Sequence, residues 1–381
     1  ASLKKGLREH GWYVYNIRVF GRGTGLFFFQ RKASLDTLIM FTHQLSSLLG
    51  AGIPMLNALE VIWKQSNAPK FQIMVSELKN KLSQGRSLSN SFNEMPHVFP
   101  YIYRALIGVA ETGGNLVTVL DNLLKYFNNQ KMFVYKMKKA ITYPLIVLAF
   151  SFFIVMLMFL WVVPTFQTVF SKIRVELPLL TIMILKISAV VRSPYFWIAA
   201  VSVSIAACVL YKKLFIIPKI KDTMDGLKLK IPVFGTILYT AGISRFLQSL
   251  HLLLANGLPI TKSIEVARGT ILNSKINGAL NVVQDKITQG VSLGMSLRET
   301  KIFPPFLVEM ISVGEESGDL VNALNKMAAH FEDEFDYHIN RFLTFLEPAL
   351  IIVVGGVIIF ILLSLYLPIF KLWGHLTQIN G

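Results

Sequence analysis

One cysteine, Cys208, stands in a chain of 381 residues. That excludes an internal disulfide and any multi-cysteine metal or redox centre, and leaves Cys208 as a small packing residue. Acidic residues are also few, 22 Asp and Glu against 38 Lys and Arg, for a formal net charge of +16. So basic a chain is a candidate for nucleic acid, but its basic residues are not interleaved with aromatics in any RNA- or DNA-binding module, and no nucleic-acid partner is expected. No Gly-rich phosphate loop followed by Lys-Ser or Lys-Thr occurs; GRGTG at Gly21 to Gly25 has no strand-to-helix context with Lys and reads as a flexible linker. With no nucleophile-elbow serine and no two-histidine zinc helix either, the chain carries no expected catalytic residue and no expected cofactor.

Charge is missing altogether from three stretches: Leu145 to Val163, Tyr195 to Tyr211 and Ala349 to Leu367. Each has about the length that crosses a hydrocarbon core of roughly 30 Å as a helix. Hydrophobic residues make up 53% of the chain and the mean hydropathy is +0.53, so an integral membrane protein with three transmembrane helices is expected. Ion pathways and proton relays need ionisable groups within the spans, which disfavours the competing class, a transporter or channel subunit. The opening residues are charged and lack a long apolar core, unlike a cleaved signal. Gly355 with Gly356, and the run Ser202 to Cys208, allow close helix approach.

The basic excess is uneven. Residues 1–140 hold 18 Lys and Arg against 7 Asp and Glu, whereas residues 212–344 hold 15 against 13. Lys131, Lys136, Lys138 and Lys139 precede the first span and Lys212, Lys213, Lys219 and Lys221 follow the second; Lys172, Arg174, Lys186 and Arg192 lie between. Eight against four places both large polar segments in the cytoplasm and residues 165–194 outside. The same excess favours contact with anionic lipid.

Phe41 to Glu60, FTHQLSSLLGAGIPMLNALE, aligns without gaps on Phe246 to Glu265, FLQSLHLLLANGLPITKSIE. Gly85, Ser87 and Leu88 match Gly290, Ser292 and Leu293 at the same offset of 205; one residue is then lost, and at 204 Ala110 to Leu116 meets Gly314 to Leu320, Pro144 meets Pro348 and Pro164 meets Pro368. The chain is two copies of one unit, a polar domain followed by a span. The shared residues belong to helix ends: Gly52 and Gly257 suit the left-handed stop and Pro54 and Pro259 the next first turn; Ser87 and Ser292 suit caps; Gly114 and Gly318 make a turn before Asn115 and Asp319, both suited to N-caps. Apolar residues at three and four spacing fill the intervals, so each domain reads as a helical bundle of about six helices. Two identical units cannot both begin in the cytoplasm unless the chain returns between them, and the middle span does this.

The expected layout is an N-terminal segment and linker (1–32), a first cytoplasmic helical domain (33–140), a span (141–164), a periplasmic loop (165–194), a second span (195–211), a second cytoplasmic domain (212–344), a third span (345–368) and a periplasmic tail (369–381). Four groups of polar residues are candidates for function. His330, Glu334 and His338 recur every four residues on one helical face, a spacing that can hold a divalent ion, although a solvated acidic helix has the same pattern. That acidic stretch, with Glu332 and Asp333, aligns with a basic one in the first copy, so the two faces are expected to meet each other or different partners. Glu111 and Glu315 flank the capped turn in both copies, and Glu60 and Glu265 lie just beyond the Gly-Pro hairpin. Helix-end hydrogen bonding is the plainer role for all four; docking of a partner at Glu111 and Glu315 is the functional one.

The duplicated pattern F-T-x-Q-L-x-x-L-L-x-A-G-x-P at Phe41 to Pro54, G-E-x-S-G-x-L at Gly314 to Leu320, Tyr143 with Pro144, and the three-span layout resemble the inner-membrane platform proteins of type II secretion and type IV pilus systems. The resemblance implies a non-enzymatic assembly platform, a homo-oligomer among other inner-membrane components of such a machine. It implies a cytoplasmic ATPase as partner and pilin or pseudopilin subunits as cargo. The N-terminus is then expected in the cytoplasm and the C-terminus in the periplasm.

Overall fold

The computed structural model describes residues 33–173, 177–214 and 218–379; the expectations for residues 1–32 lie outside these. Every regular element among them is helical. The first repeat runs through α1 (Leu35–Gly50), α2 (Met55–Gln65), α3 (Pro69–Ser83), α4 (Leu88–Asn93), α5 (Tyr101–Gly113) and α6 (Leu116–Leu157). A π turn, Met158–Val162, carries α6 into α7 (Val163–Ile173), and α8 (Leu179–Arg192) and α9 (Pro194–Leu214) follow. The second repeat is preceded by α10 (Pro218–Lys230) and comprises α11 (Phe234–Ala255), α12 (Ile260–Arg268), α13 (Ser274–Thr288), α14 (Leu293–Glu299), α15 (Pro305–Glu316) and α16 (Leu320–Ile379).

Matched residues make the helix ends. Gly52 and Gly257 adopt φ of 80° and 84°, a left-handed turn that a side chain resists, and Ile53 and Leu258 N–H close back on Leu48 and Leu253. Ser87 caps Asn90 N–H and Ser292 caps Met295 N–H. Two details differ from expectation. Pro54 and Pro259 stand at the N-cap, one residue ahead of the first turn, and Asn115 makes no side-chain cap; its backbone, at φ −106° and ψ 37°, lies outside the extended region usual for a capping residue.

The core of the first domain is an aromatic cluster. Phe92 and Phe99 approach to 4.4 Å and Phe92 stacks on Tyr103 at 5.4 Å. Thr42 Oγ1 donates to Tyr103 Oη at 3.2 Å, and burial pushes that phenol's pKa up. At the positions of Phe92 and Tyr103 the second domain has Leu297 and Leu307, both buried. One apolar core runs through both domains without a break.

Two helical runs, Leu116–Phe170 and Leu320–Lys371, are each long and apolar enough to cross a membrane. Each begins inside a helical bundle, so the boundary expected at residue 140 falls within a helix. The segment expected as a loop, 165–194, is mostly helical, because α8 buries Thr181, Ile184, Ser188 and Val191 against both long helices. Leu179–Arg192 and Pro194–Leu210 are long and apolar enough to cross only as a pair, bent by 72°.

The placement of α8 follows from two prolines. Pro368 has no N–H to offer Ser364 C=O four residues back, and Thr181 Oγ1 donates to that carbonyl at 2.5 Å instead. In the first repeat the π turn shifts the register by one, Val163 N–H bonding Met158 C=O, so Pro164 fails Phe159 C=O. Ser188 Oγ donates there at 2.6 Å. Thr181 and Ser188 are about 10 Å apart along α8, and each bonds a different long helix within one apolar cluster. Helix α8 therefore lies across the two long helices as a crossbar.

Candidate functional site

Polar residues converge where α6 and α16 leave the domains. Lys136 Nζ lies 2.6 Å from Asp336 and 3.9 Å from Glu332, whose other oxygen accepts from Gln248 Nε2 at 3.1 Å. Beneath them Phe133 stacks on Phe335 with centroids 4.0 Å apart, and the Arg245 guanidinium sits 4.8 Å over the Phe133 ring. Burial pulls the Arg245 pKa down from its ordinary value. Tyr143 Oη donates to Glu347 at 3.4 Å just before the charge-free runs that open at Leu145 and Ala349. A cleft of ≈ 480 Å³ opens between the helices here, lined by Lys139, Tyr143, Asp336 and Glu347 among others. The site thus ties the first repeat's exit helix to the second's by charge, stacking and hydrogen bonding. The aligned basic and acidic faces pointed to Lys136 and Asp336; Gln248 and Arg245 carried no sequence signal, because their role depends on α11 lying against α6 and α16.

Glu111 and Glu315 hold equivalent places elsewhere. Glu111 accepts the N–H groups of Leu88 at 2.5 Å and Ser89 at 3.0 Å, and Glu315 those of Leu293 at 2.8 Å and Gly294 at 3.0 Å. Each carboxylate closes the exposed N–H groups of a short helix, α4 or α14, beside its serine cap. Burial works against the charge of Glu111, but the Ser89 and Leu88 hydrogen bonds outweigh it and hold the carboxyl below its usual range. Gly114 and Gly318, at φ 70° and 74°, turn the chain after α5 and α15 and keep both glutamates in place.

Glu60 and Glu265 diverge. Glu60 binds Lys79 and Lys64, and those two ammonium groups bring its pKa down to about 2. Glu265 binds Lys262 at 2.8 Å and accepts from Tyr101 of the other repeat at 3.0 Å. The metal reading does not survive. Glu334 is 3.9 Å from His330 and His338 turns onto Tyr337; no group of three metal-ligating side chains forms among the described residues. Two histidines eight residues apart on one helix are separated by about 12 Å of rise, too far to share an ion. Asp333 is exposed on the same stretch.

A family described as type II secretion system (T2SS), protein F, matches twice, over residues 41–164 and 246–368. The two matches begin and end on the repeat boundaries, at Phe41 and Phe246 and at Pro164 and Pro368. The chain belongs to the type II secretion system protein F family. Among its relatives is the type IV pilus assembly protein PilC of Pseudomonas aeruginosa, 31% identical over 97% of this chain and 98% of that one. Myxococcus xanthus has a PilC that is 33% identical over 88% and 80%. The type II secretion system protein F of Vibrio cholerae is 28% identical over 91% and 85%. Family membership and the apolar helices together fit a protein of the inner membrane.

Proposed function

We propose that this chain is the assembly platform of a type IV pilus or type II secretion machine. In this reading it couples a cytoplasmic ATPase to the insertion or extraction of pilin or pseudopilin subunits. The observation that carries the proposal is that each cytoplasmic bundle continues into the membrane as one uninterrupted helical run, Leu116–Phe170 and Leu320–Lys371. A tilt imposed on either bundle reaches the bilayer through a continuous helix that holds Pro144 or Pro348 at the junction, and the Lys136 to Asp336 pair links the two levers. Homologues named for pilus assembly and for secretion support the setting.

In the same reading both bundles and the N-terminus are cytoplasmic, by the excess of Lys and Arg flanking the spans. Helix α9 carries the returning third span at residues 195–211, whose charge-free stretch rises about 26 Å, and α8 already lies across the other two. The C-terminus is then periplasmic. Co-purification of the tagged full chain with its motor ATPase, and loss of pili or of secretion on deletion, are the expected results. A chain that captures no motor from membranes of the producing cell, and whose deletion leaves both processes intact, defeats the proposal.

A further inference from the structure

The two repeats bury unequal faces. In the first, the outer side of α5 and α6 packs on α11 and α12 of the second: Tyr126 Oη lies 3.0 Å from Ser249 Oγ, Asn122 donates to Asn256 at 3.1 Å, and Tyr101 donates to Glu265. The reciprocal packing, α1 and α2 on α15 and α16, does not occur to a comparable extent among the described residues. The contact is heterologous, so each repeat has two kinds of face and one of each kind is left over.

The leftover faces are built like the buried ones. Ile102 is 3% exposed at the interface, while its counterpart Phe306 is 53% exposed. Phe133 and Arg245 touch across the interface, and their counterparts Tyr337 and Met40 are 59% and 42% exposed on the two free faces. Gln130 and Gly269 line one cleft between the repeats together with Ile102 and Val266. Their counterparts are Glu334 and Lys64, of opposite charge, with Val61 in place of Val266. Tyr143 and Glu347, themselves counterparts, meet at 3.4 Å. Equivalent residues therefore lie at one level where the apolar runs begin, and repeating the operation keeps a further copy at about the same depth in a bilayer.

We propose that a second copy of this chain docks its α1 and α2 face on the free α15 and α16 face, repeating between molecules the contact that joins the repeats within one. Phe306 then packs on Val61, Tyr337 lies beside Met40, and Glu334 pairs with Lys64, Glu60 keeping Lys79 as its partner. The inference rests on the reading of the chain as a self-associating platform and names the surface by which it associates.

The test is cross-linking of full-length chains in membranes. In a Cys208→Ser background, Met40→Cys and Tyr337→Cys are placed on two differently tagged copies and treated with a short bis-maleimide. Expected is a cross-linked pair bearing both tags, and a ladder of higher multiples when one chain carries both cysteines. Glu334→Lys should lower the yield at least tenfold, and Lys64→Glu on the other copy should restore it. A self-associated protein that gives no mixed cross-link, or in which Tyr337→Cys alone links to itself as well, overturns the proposed surface and leaves the platform reading standing. A protein that is monomeric throughout in native membranes overturns both.

Discussion

Glu111 and Glu315 show what a duplicated polar residue does when the backbone around it is duplicated too. Each carboxylate meets two N–H groups at the start of a short helix, where orphan donors and the positive end of the helix favour an anion. Glu111→Ala and Glu315→Ala are each expected to cost about 1 kcal/mol, comparable with loss of a capping side chain, read as lowered thermal unfolding. Glu60 supplies a pH signature. Its folded pKa, about 2 against an ordinary 4.5, is depressed by Lys79 and Lys64. A depressed carboxyl stabilises the fold above its unfolded pKa and loses that contribution as pH falls through the folded value. The acid limb of unfolding should therefore respond to Glu60→Gln between about pH 4.5 and 2, with no difference from the parent that depends on pH above 6; a constant offset at every pH would refute the assignment.

Helix α8 is held by defects in its neighbours. Proline deprives a carbonyl of its usual donor, and in a membrane an unsatisfied carbonyl has no water to turn to. Thr181 and Ser188 supply the missing donors at Ser364 and Phe159. Thr181→Val is expected to destabilise the packing of α8 by about 1 kcal/mol. In a Pro368→Ala background Ser364 C=O regains a helical donor, so the same change should cost clearly less. Equal costs in the two backgrounds, measured by unfolding in bicelles, would show that Thr181 acts by packing alone. The proline pair was legible as a repeat feature, yet its partners were not, because α8 sits in the stretch expected to be a loop and its hydroxyls serve helices some 29 and 183 residues away in the chain.

Across the whole molecule, the exit helices are linked at Lys136 and Asp336. Asp336→Lys is expected to loosen the junction, seen as faster amide exchange in residues 130–143 and 332–347 with the bundle cores unchanged, and Lys136→Asp in the same chain to restore slow exchange. The ion pair is partly exposed, at 32% and 35%, and worth little as stability. Its expected effect is on how rigidly the repeats move together, so a restored exchange pattern with pili or secretion still lost would separate stiffness from function. The row His330, Glu334 and His338, metal-like in spacing, failed for the plain reason of helical rise. Its positions instead fall on the face that the first repeat buries through Tyr126 and Gln130.

The amino-acid sequence alone declares two copies of a helical unit, where their helices stop, and which stretches are too apolar for water. These follow from local rules: glycine at positive φ, serine ahead of a helix, proline at its start, and the length of a charge-free run. How the copies sit on each other is decided elsewhere. Equivalent residues such as Ile102 and Phe306 obey the same local rules and end up 3% and 53% exposed, because a heterologous contact uses one face of each repeat and leaves the other open. Only the tertiary arrangement distinguishes them, since burial between distant segments is a property of how bundles pack and not of any window of sequence.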